Sequence, residues 1–217
     1  VFDDVIKDRL EEEKIPYFLL VLGGSRSTKT YTVKSDWDYA AMSNEIKSIR
    51  QMRNISGEDN LWRIQILPSF DTITREYNKS ENKRKSYLLY WWINSLENIM
   101  AHRVIYDDKT ITNPIRSEIK AIPRRTIAER YFWLSQLFPF DKMTHRDYIL
   151  SARLSLTGAY YIDRGIFEID IDKLSTHYGI TFDWKKYRIG EYIPTEDDLL
   201  RLKQSSKKKL SSLISSL

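Results

Sequence analysis

Residues 23–39, GGSRSTKTYTVKSDWDY, decide how the rest of the chain is read. They follow a continuous apolar run at 17–22, YFLLVL, which has the length and composition of a buried strand. Two glycines and a serine then let main-chain N–H groups approach an anion without interference from Cβ atoms. Ser25 adds a hydroxyl and Arg26 a charge. At the far end Asp36 and Asp38 stand two residues apart. On an extended strand both carboxylates leave the same face, while Trp37 points the other way into packing. Carboxylates that share a face repel unless a cation lies between them. A hard divalent ion such as Mg2+ prefers oxygen ligands and often bridges protein carboxylates to substrate phosphates. The stretch predicts a single site suited to phosphoryl or nucleotidyl transfer.

A P-loop uses similar residue types, but the spacing G-x-x-x-x-G-K-[ST] is absent. Thr30, Tyr31, Thr32 and Val33 also favour extended chain over the helix that a P-loop opens.

Working outward, Phe2, Val5, Ile6 and Leu10 recur at helical spacing, and Pro16 ends that helix. Extended segments are predicted at 31–33, 37–42 and 61–67, with a short helix at 44–53. Residues 76–85 are polar enough for a loop or a helix start, and 87–100 form an aromatic-rich helix. There Tyr90, Trp91 and Trp92 are expected to pack against the sheet. A strand at 102–106 and a turn at 107–109 precede helices at 127–137, 146–163 and 196–213. The fold class is α+β, with a mixed sheet and helices over 1–115 and a mostly helical domain over 116–217.

The 217 residues include 6 Trp, 14 Tyr and 8 Phe, enough for a sizeable core. The absence of cysteine excludes disulfides and thiolate metal sites. His102, His145 and His177 have no ligand spacing. No apolar run approaches the roughly 20 residues of a membrane-spanning helix. The charged first residues lack a signal-peptide core, so no membrane partner and a cytoplasmic location are expected. The net charge of +5 resides in Arg201, Lys203, Lys207, Lys208 and Lys209, and the rest of the chain sums to zero. A basic end of this kind reads as a solvated helix face, which argues against nucleic acid as the partner.

Gly24-Ser25 followed by Ser35-Asp36-Trp37-Asp38, in the order helix, strand, G-S, strand, D-x-D, resembles the DNA polymerase β-like nucleotidyltransferase superfamily. Small bacterial members, including the aminoglycoside and lincosamide adenylyltransferases, are the branch it resembles most. RVIYDDKTI at 103–111 is loosely similar to the strand and turn that many of them carry before a helical domain. The resemblance implies that Gly24 and Ser25 hold the β- and γ-phosphates of ATP or another nucleoside triphosphate, with Arg26 placed for a further phosphate contact. It implies that Asp36 and Asp38 are catalytic and ligate Mg2+. The helical domain at 116–217 would bind the acceptor.

One departure stands out. The superfamily usually supplies a third carboxylate from the next central strand, here LWRIQIL at 61–67, whose polar face offers Arg63 and Gln65. Neither is an anionic ligand, and glutamine is no general base at neutral pH. Asp71, Glu76 and Asp147 are the candidates to complete the site from elsewhere. The expected activity is transfer of AMP from ATP to a hydroxyl of a small-molecule acceptor, such as an antibiotic, with release of pyrophosphate. The alternatives are a catalytically weak nucleotide-binding regulatory or antitoxin-like module, and a transferase acting on protein or RNA.

Overall fold

A computed structural model of the chain describes residues 2–32, 34–57, 60–137 and 144–217. It divides into two compact units, Val1–Ser27 with Ser35–Ala121, and Thr28–Lys34 with Ile122–Leu217.

The first unit is α+β. Helix α1 (Asp3–Glu12) leads into β1 (Leu19–Leu22), then the single turn α2 (Gly24–Ser27) and β2 (Trp37–Ser43). A 3-10 turn at Ile49–Gln51 precedes β3 (Arg53–Ser56) and β4 (Trp62–Pro68). Helices α3 (Phe70–Lys79) and α4 (Asn82–Met100), strand β5 (Arg103–Asp107) and helix α5 (Lys109–Ala121) complete it. The strands form one mixed sheet in the order β3-β4-β2-β1-β5. β1 runs antiparallel to β2 and β5, whereas β2 and β4 are parallel, with Asp38 opposite Arg63 and Ala40 opposite Gln65.

Side-chain alternation sorts this sheet into two faces. Leu20, Leu22, Tyr39, Ala41, Trp62, Ile64 and Ile66 form one core cluster with Ile6 and Leu10 of α1. Trp37 packs on the same cluster, edge-on to Phe2 with ring centroids 6.4 Å apart. Period-2 logic sends Asp38, Arg63 and Gln65 to the opposite face. Helix α4 serves that side: Asn98 approaches Gly23, and Tyr90 acts electrostatically on Arg63. α4 is held to α3 by Trp92, whose indole N–H donates to Thr74 at 3.1 Å and whose ring lies 5.5 Å from Phe70.

The second unit is helical: α6 (Arg124–Leu137), α7 (His145–Arg164), α8 (Ile171–Tyr178), α9 (Trp184–Ile189) and α10 (Glu196–Ser215). Capping boxes at Thr144/Asp147 and Thr195/Asp198 start α7 and α10. α7 is buried along most of its length, and Tyr148, Ala152 and Leu156 share a core with Leu174, Trp184, Leu199 and Leu202.

The segment 28–34 belongs to this helical unit. The Thr28 carbonyl accepts from the Ile171 N–H at 3.1 Å, and the Lys29 carbonyl from Arg188 Nε at 3.0 Å. Lys29 Nζ lies 2.7 Å from Asp170 and 3.9 Å from Asp172, and Arg188 also pairs with Asp172.

Several elements differ from the sequence reading. Tyr31 and Thr32, expected in a strand, join no sheet because their neighbours are bound to the helical unit; Val33 lies outside the described residues. The helix expected at 44–53 is only the 3-10 turn, since Arg53 already enters β3. The polar run 76–85 is the end of α3 and the start of α4, separated at Ser80-Glu81. Asp107 ends β5 instead of forming a turn, and Asp108 begins the following helix by accepting from Thr110 N–H at 3.0 Å. Pro114 sits inside α5, which runs on to Ala121.

Candidate functional site

The site residues meet at one end of the sheet, where β1 finishes and β2, β4 and β5 begin. Antiparallel pairing places Leu22 opposite Tyr39, and the next bond, from Gly23 N–H to the Asp38 carbonyl at 2.8 Å, carries the pairing into the glycine pair. The chain then turns at Gly24 with φ +61°, in the left-handed region that glycine enters at little cost. No larger residue fits: a Cβ on Gly24 would stand 2.6 Å from Asp38 Cβ and 2.8 Å from its carboxylate carbon. Asp38 thus lies directly against the Gly24 main chain, and the two ends of the quoted stretch close on one another.

Ser25 and Arg26 follow in the single turn α2. Ser25 is partly exposed. The Arg26 guanidinium is engaged with the loop: Nε donates to the Asp36 carbonyl at 3.1 Å, Nη2 donates to the Ser35 carbonyl at 2.5 Å, and the group lies 4.3 Å above the Trp37 ring. Its role here is to hold the turn before β2 and so fix where Asp36 begins. Ser27, at the end of α2, pairs with the buried His102 through Nδ1 at 2.7 Å, which ties the turn to the start of β5.

Asp36 and Asp38 are both half-buried. Asp38 Oδ1 accepts from Arg63 Nε at 3.1 Å and Nη2 at 2.6 Å, an ion pair between in-register residues of the parallel strands β2 and β4. Burial pulls the Arg63 pKa down, but the hydrogen bond and charge of Asp38, with the charge of Asp36 and a contribution from Tyr90, raise it overall. Both aspartates therefore act on the same guanidinium, as expected if they share a face. Gln65 points along β3, its amide 3.4 Å from Asn54 Oδ1.

The candidates for a third acid are placed otherwise. Glu76 accepts from Ile49 N–H at 3.0 Å, Asp147 is the capping-box partner of Thr144, and Asp71 is an exposed residue in the first turn of α3. Glu76 thus serves a main-chain N–H of the 3-10 turn, and Asp71 and Asp147 lie in the first turns of their own helices. Among the described residues no group of three or more His, Cys, Asp and Glu is placed to hold a metal ion.

Sequence reasoning recognised Arg63 as a departure but missed its partner. The ion pair depends on β4 lying beside β2 in parallel register, and a one-residue slip would have turned Arg63 into the core. The donor set present is two carboxylates with a guanidinium on one of them. Its hard oxygens fit one divalent cation; among the described residues no third carboxylate joins them to support a pair.

Among the described residues no helix is long and apolar enough to cross a membrane. No protein-family model matches the sequence, and no curated protein matches it. The fold is similar to the crystal structure of a nucleotidyltransferase-like protein from Exiguobacterium sibiricum, with 10% sequence identity and a TM-score of 0.33, covering 100% of this chain and 75% of that one. At that level the likeness carries no argument about this chain, and the functional reading rests on the residues at the end of the sheet.

Proposed function

We propose that the chain binds a nucleoside triphosphate, ATP first among them, and transfers its nucleoside monophosphate to a hydroxyl of a small-molecule acceptor. The observation that carries this reading is the closure of Gly24 onto Asp38. It brings a side-chain-free turn, the Ser25 hydroxyl and two aspartates together at one sheet end.

Ser25 and the Gly24 turn receive the phosphates, because a turn without Cβ lets an anion approach the main chain closely. Asp36 and Asp38 would hold one Mg2+, which would supply charge neutralisation and orientation of the triphosphate. The acceptor oxygen forms a bond to the α-phosphorus, the α–β bridging P–O bond breaks, and pyrophosphate leaves with that electron pair. The hydroxyl proton is lost to water, since the polar face of β4 presents Arg63 and Gln65 and no base.

The test is pyrophosphate release from ATP, GTP, CTP or UTP with Mg2+ and a panel of hydroxylated acceptors, aminoglycosides and lincosamides included. Acceptor-dependent release that disappears in Asp36→Asn supports the reading; release unchanged in that variant removes Asp36 from the site. A second reading, a module that binds nucleotide without turning it over, is favoured by the Arg63 clamp on Asp38. It predicts saturable nucleotide binding with no pyrophosphate released for any acceptor.

A further inference from the structure

We propose that the Arg63 guanidinium is a permanent cation of this site, contacting the bound phosphates and limiting the site to one divalent ion. This rests on the nucleotide-binding reading above and identifies a specificity-determining residue within it.

The argument begins with Asp38. Its Oδ1 takes both the Nε and Nη2 donors of Arg63, and its Oδ2 faces Gly24 so closely that a Cβ there would overlap it. Oδ1 is thus taken, and Oδ2 is the oxygen left for one ion. A second metal ion bridging to Asp38 would have to displace a guanidinium that the parallel register of β2 and β4 holds in place.

Charge points the same way. Asp36 and Asp38 carry two negative charges, and Arg63 returns one at fixed position. With one divalent ion these groups are net positive toward a triphosphate. In two-ion displacement sites each ion steadies one side of the transferring phosphorus, and a fixed guanidinium can take one of those places for a phosphate.

Arg63 is also built to reach a ligand. A guanidinium has five N–H donors, and two of them are used on Asp38 Oδ1. The side chain is 46% exposed although its partner is only 16% exposed, so one edge grips the half-buried acid while the remainder faces outward. Arg26 does not duplicate this role, because its guanidinium is held on the Ser35 and Asp36 carbonyls and over Trp37.

The experiment counts Mn2+ bound per chain by electron paramagnetic resonance, with a saturating α,β-methylene analogue of ATP. Nucleotide affinity is measured in parallel by calorimetry. The wild type is expected to bind one ion. R63E, which places three carboxylates at the sheet end, is expected to bind two. R63Q should keep one ion while its nucleotide affinity falls roughly ten- to hundredfold, the loss expected for a charged hydrogen-bonding partner, and R63K should recover part of it. R63Q, which adds no negative charge, keeps the phosphate contact of Arg63 testable through its nucleotide affinity if R63E does not fold.

Two ions in the wild type would overturn the role of Arg63 and leave the nucleotide reading standing. So would a single ion in folded R63E, or wild-type nucleotide affinity in R63Q. No ion and no nucleotide bound by the wild type would instead overturn the proposed function itself.

Discussion

Two Asp-x-Asp pairs occur in this chain, Asp36/Asp38 in the sheet unit and Asp170/Asp172 in the helical unit, and their ion pairing differs. Among the described residues Asp170 and Asp172 form ion pairs with Lys29 and Arg188, so each carboxylate has an ion-pair partner. Asp170 in addition caps α8 by accepting from Asp172 N–H at 3.0 Å. Among the described residues Asp36 and Asp38 make one ion pair between them, Asp38 with Arg63, and the Asp38 side chain lies against the Gly24 turn. In the first pair both acids are ion-paired, a balanced set that fastens the 28–34 segment; in the second Asp38 alone makes an ion pair among the described residues, and the pair is unbalanced. The spacing of acids alone does not separate a fastening from a candidate binding site. How many of the acids are ion-paired does.

The largest effect that can break this contrast is on activity. Asp36→Asn should lower acceptor-dependent pyrophosphate release by about 100-fold or more, the scale of removing one electrostatic partner of a transition state, while leaving the thermal midpoint near that of the wild type. If the midpoint drops and the rate does not, the unbalanced pair is a fastening as well.

Next comes Gly24→Ala. The added Cβ meets Asp38, and the φ of +61° is unfavourable for alanine, so a loss of about 2 kcal/mol or more in urea unfolding is expected. The same variant should weaken nucleotide binding. A fully stable Gly24→Ala would mean that the turn and Asp38 are not in contact.

On the balanced side, Lys29→Ala should cost about 1 kcal/mol in the same measurement. Lys29 is half-exposed, but its partner Asp170 is 11% exposed and would keep a charge with one cation fewer nearby. No change at all would demote that network to surface decoration.

The smallest effect is seen only in alkali. Burial first, then the charge and hydrogen bond of Asp3, push the Tyr39 hydroxyl up to about 12. The folded value lies above the unfolded one near 10, so neutral Tyr39 favours the folded state below pH 10, and that contribution is lost as pH rises toward about 12. Tyr39→Phe should flatten the decline of stability across that window in a pH series of unfolding curves. An unchanged slope would remove Tyr39 as its source.

Much of the sheet was legible in the sequence because its pattern is local. The run at 17–22 announced β1, and the alternation of Arg63 and Gln65 with Trp62, Ile64 and Ile66 announced β4. Asp36-Trp37-Asp38 likewise read as a strand entry with Trp37 turned to the core. Helices α7 and α10 were legible from their apolar spacing. β3 was missed because RNIS has no buried side chain to give it a period. α8 and α9 are too short to show one, although their stop signals, Gly179 and Gly190 in the left-handed region, were present in the sequence. Two facts about the site lay beyond local pattern altogether: the clamp on Asp38, which exists only once β4 lies beside β2, and the allegiance of 28–34, which depends on residues more than a hundred positions away.

That allegiance bears on how the protein can be taken apart. The chain leaves the sheet unit after Ser27, returns at Ser35, and leaves again after Ala121. A fragment ending at Ala121 would still carry Thr28–Lys34 but not the Ile171, Asp170 and Arg188 groups that bind it. The seven residues joining the glycine turn to the aspartates would then be an unanchored tether. A fragment beginning at Ile122 would expose Asp170 and Asp172 without Lys29. Neither unit can be expressed whole as one continuous piece of sequence. Separation requires replacing 28–34 with a short linker in the first fragment and supplying the segment as a peptide to the second.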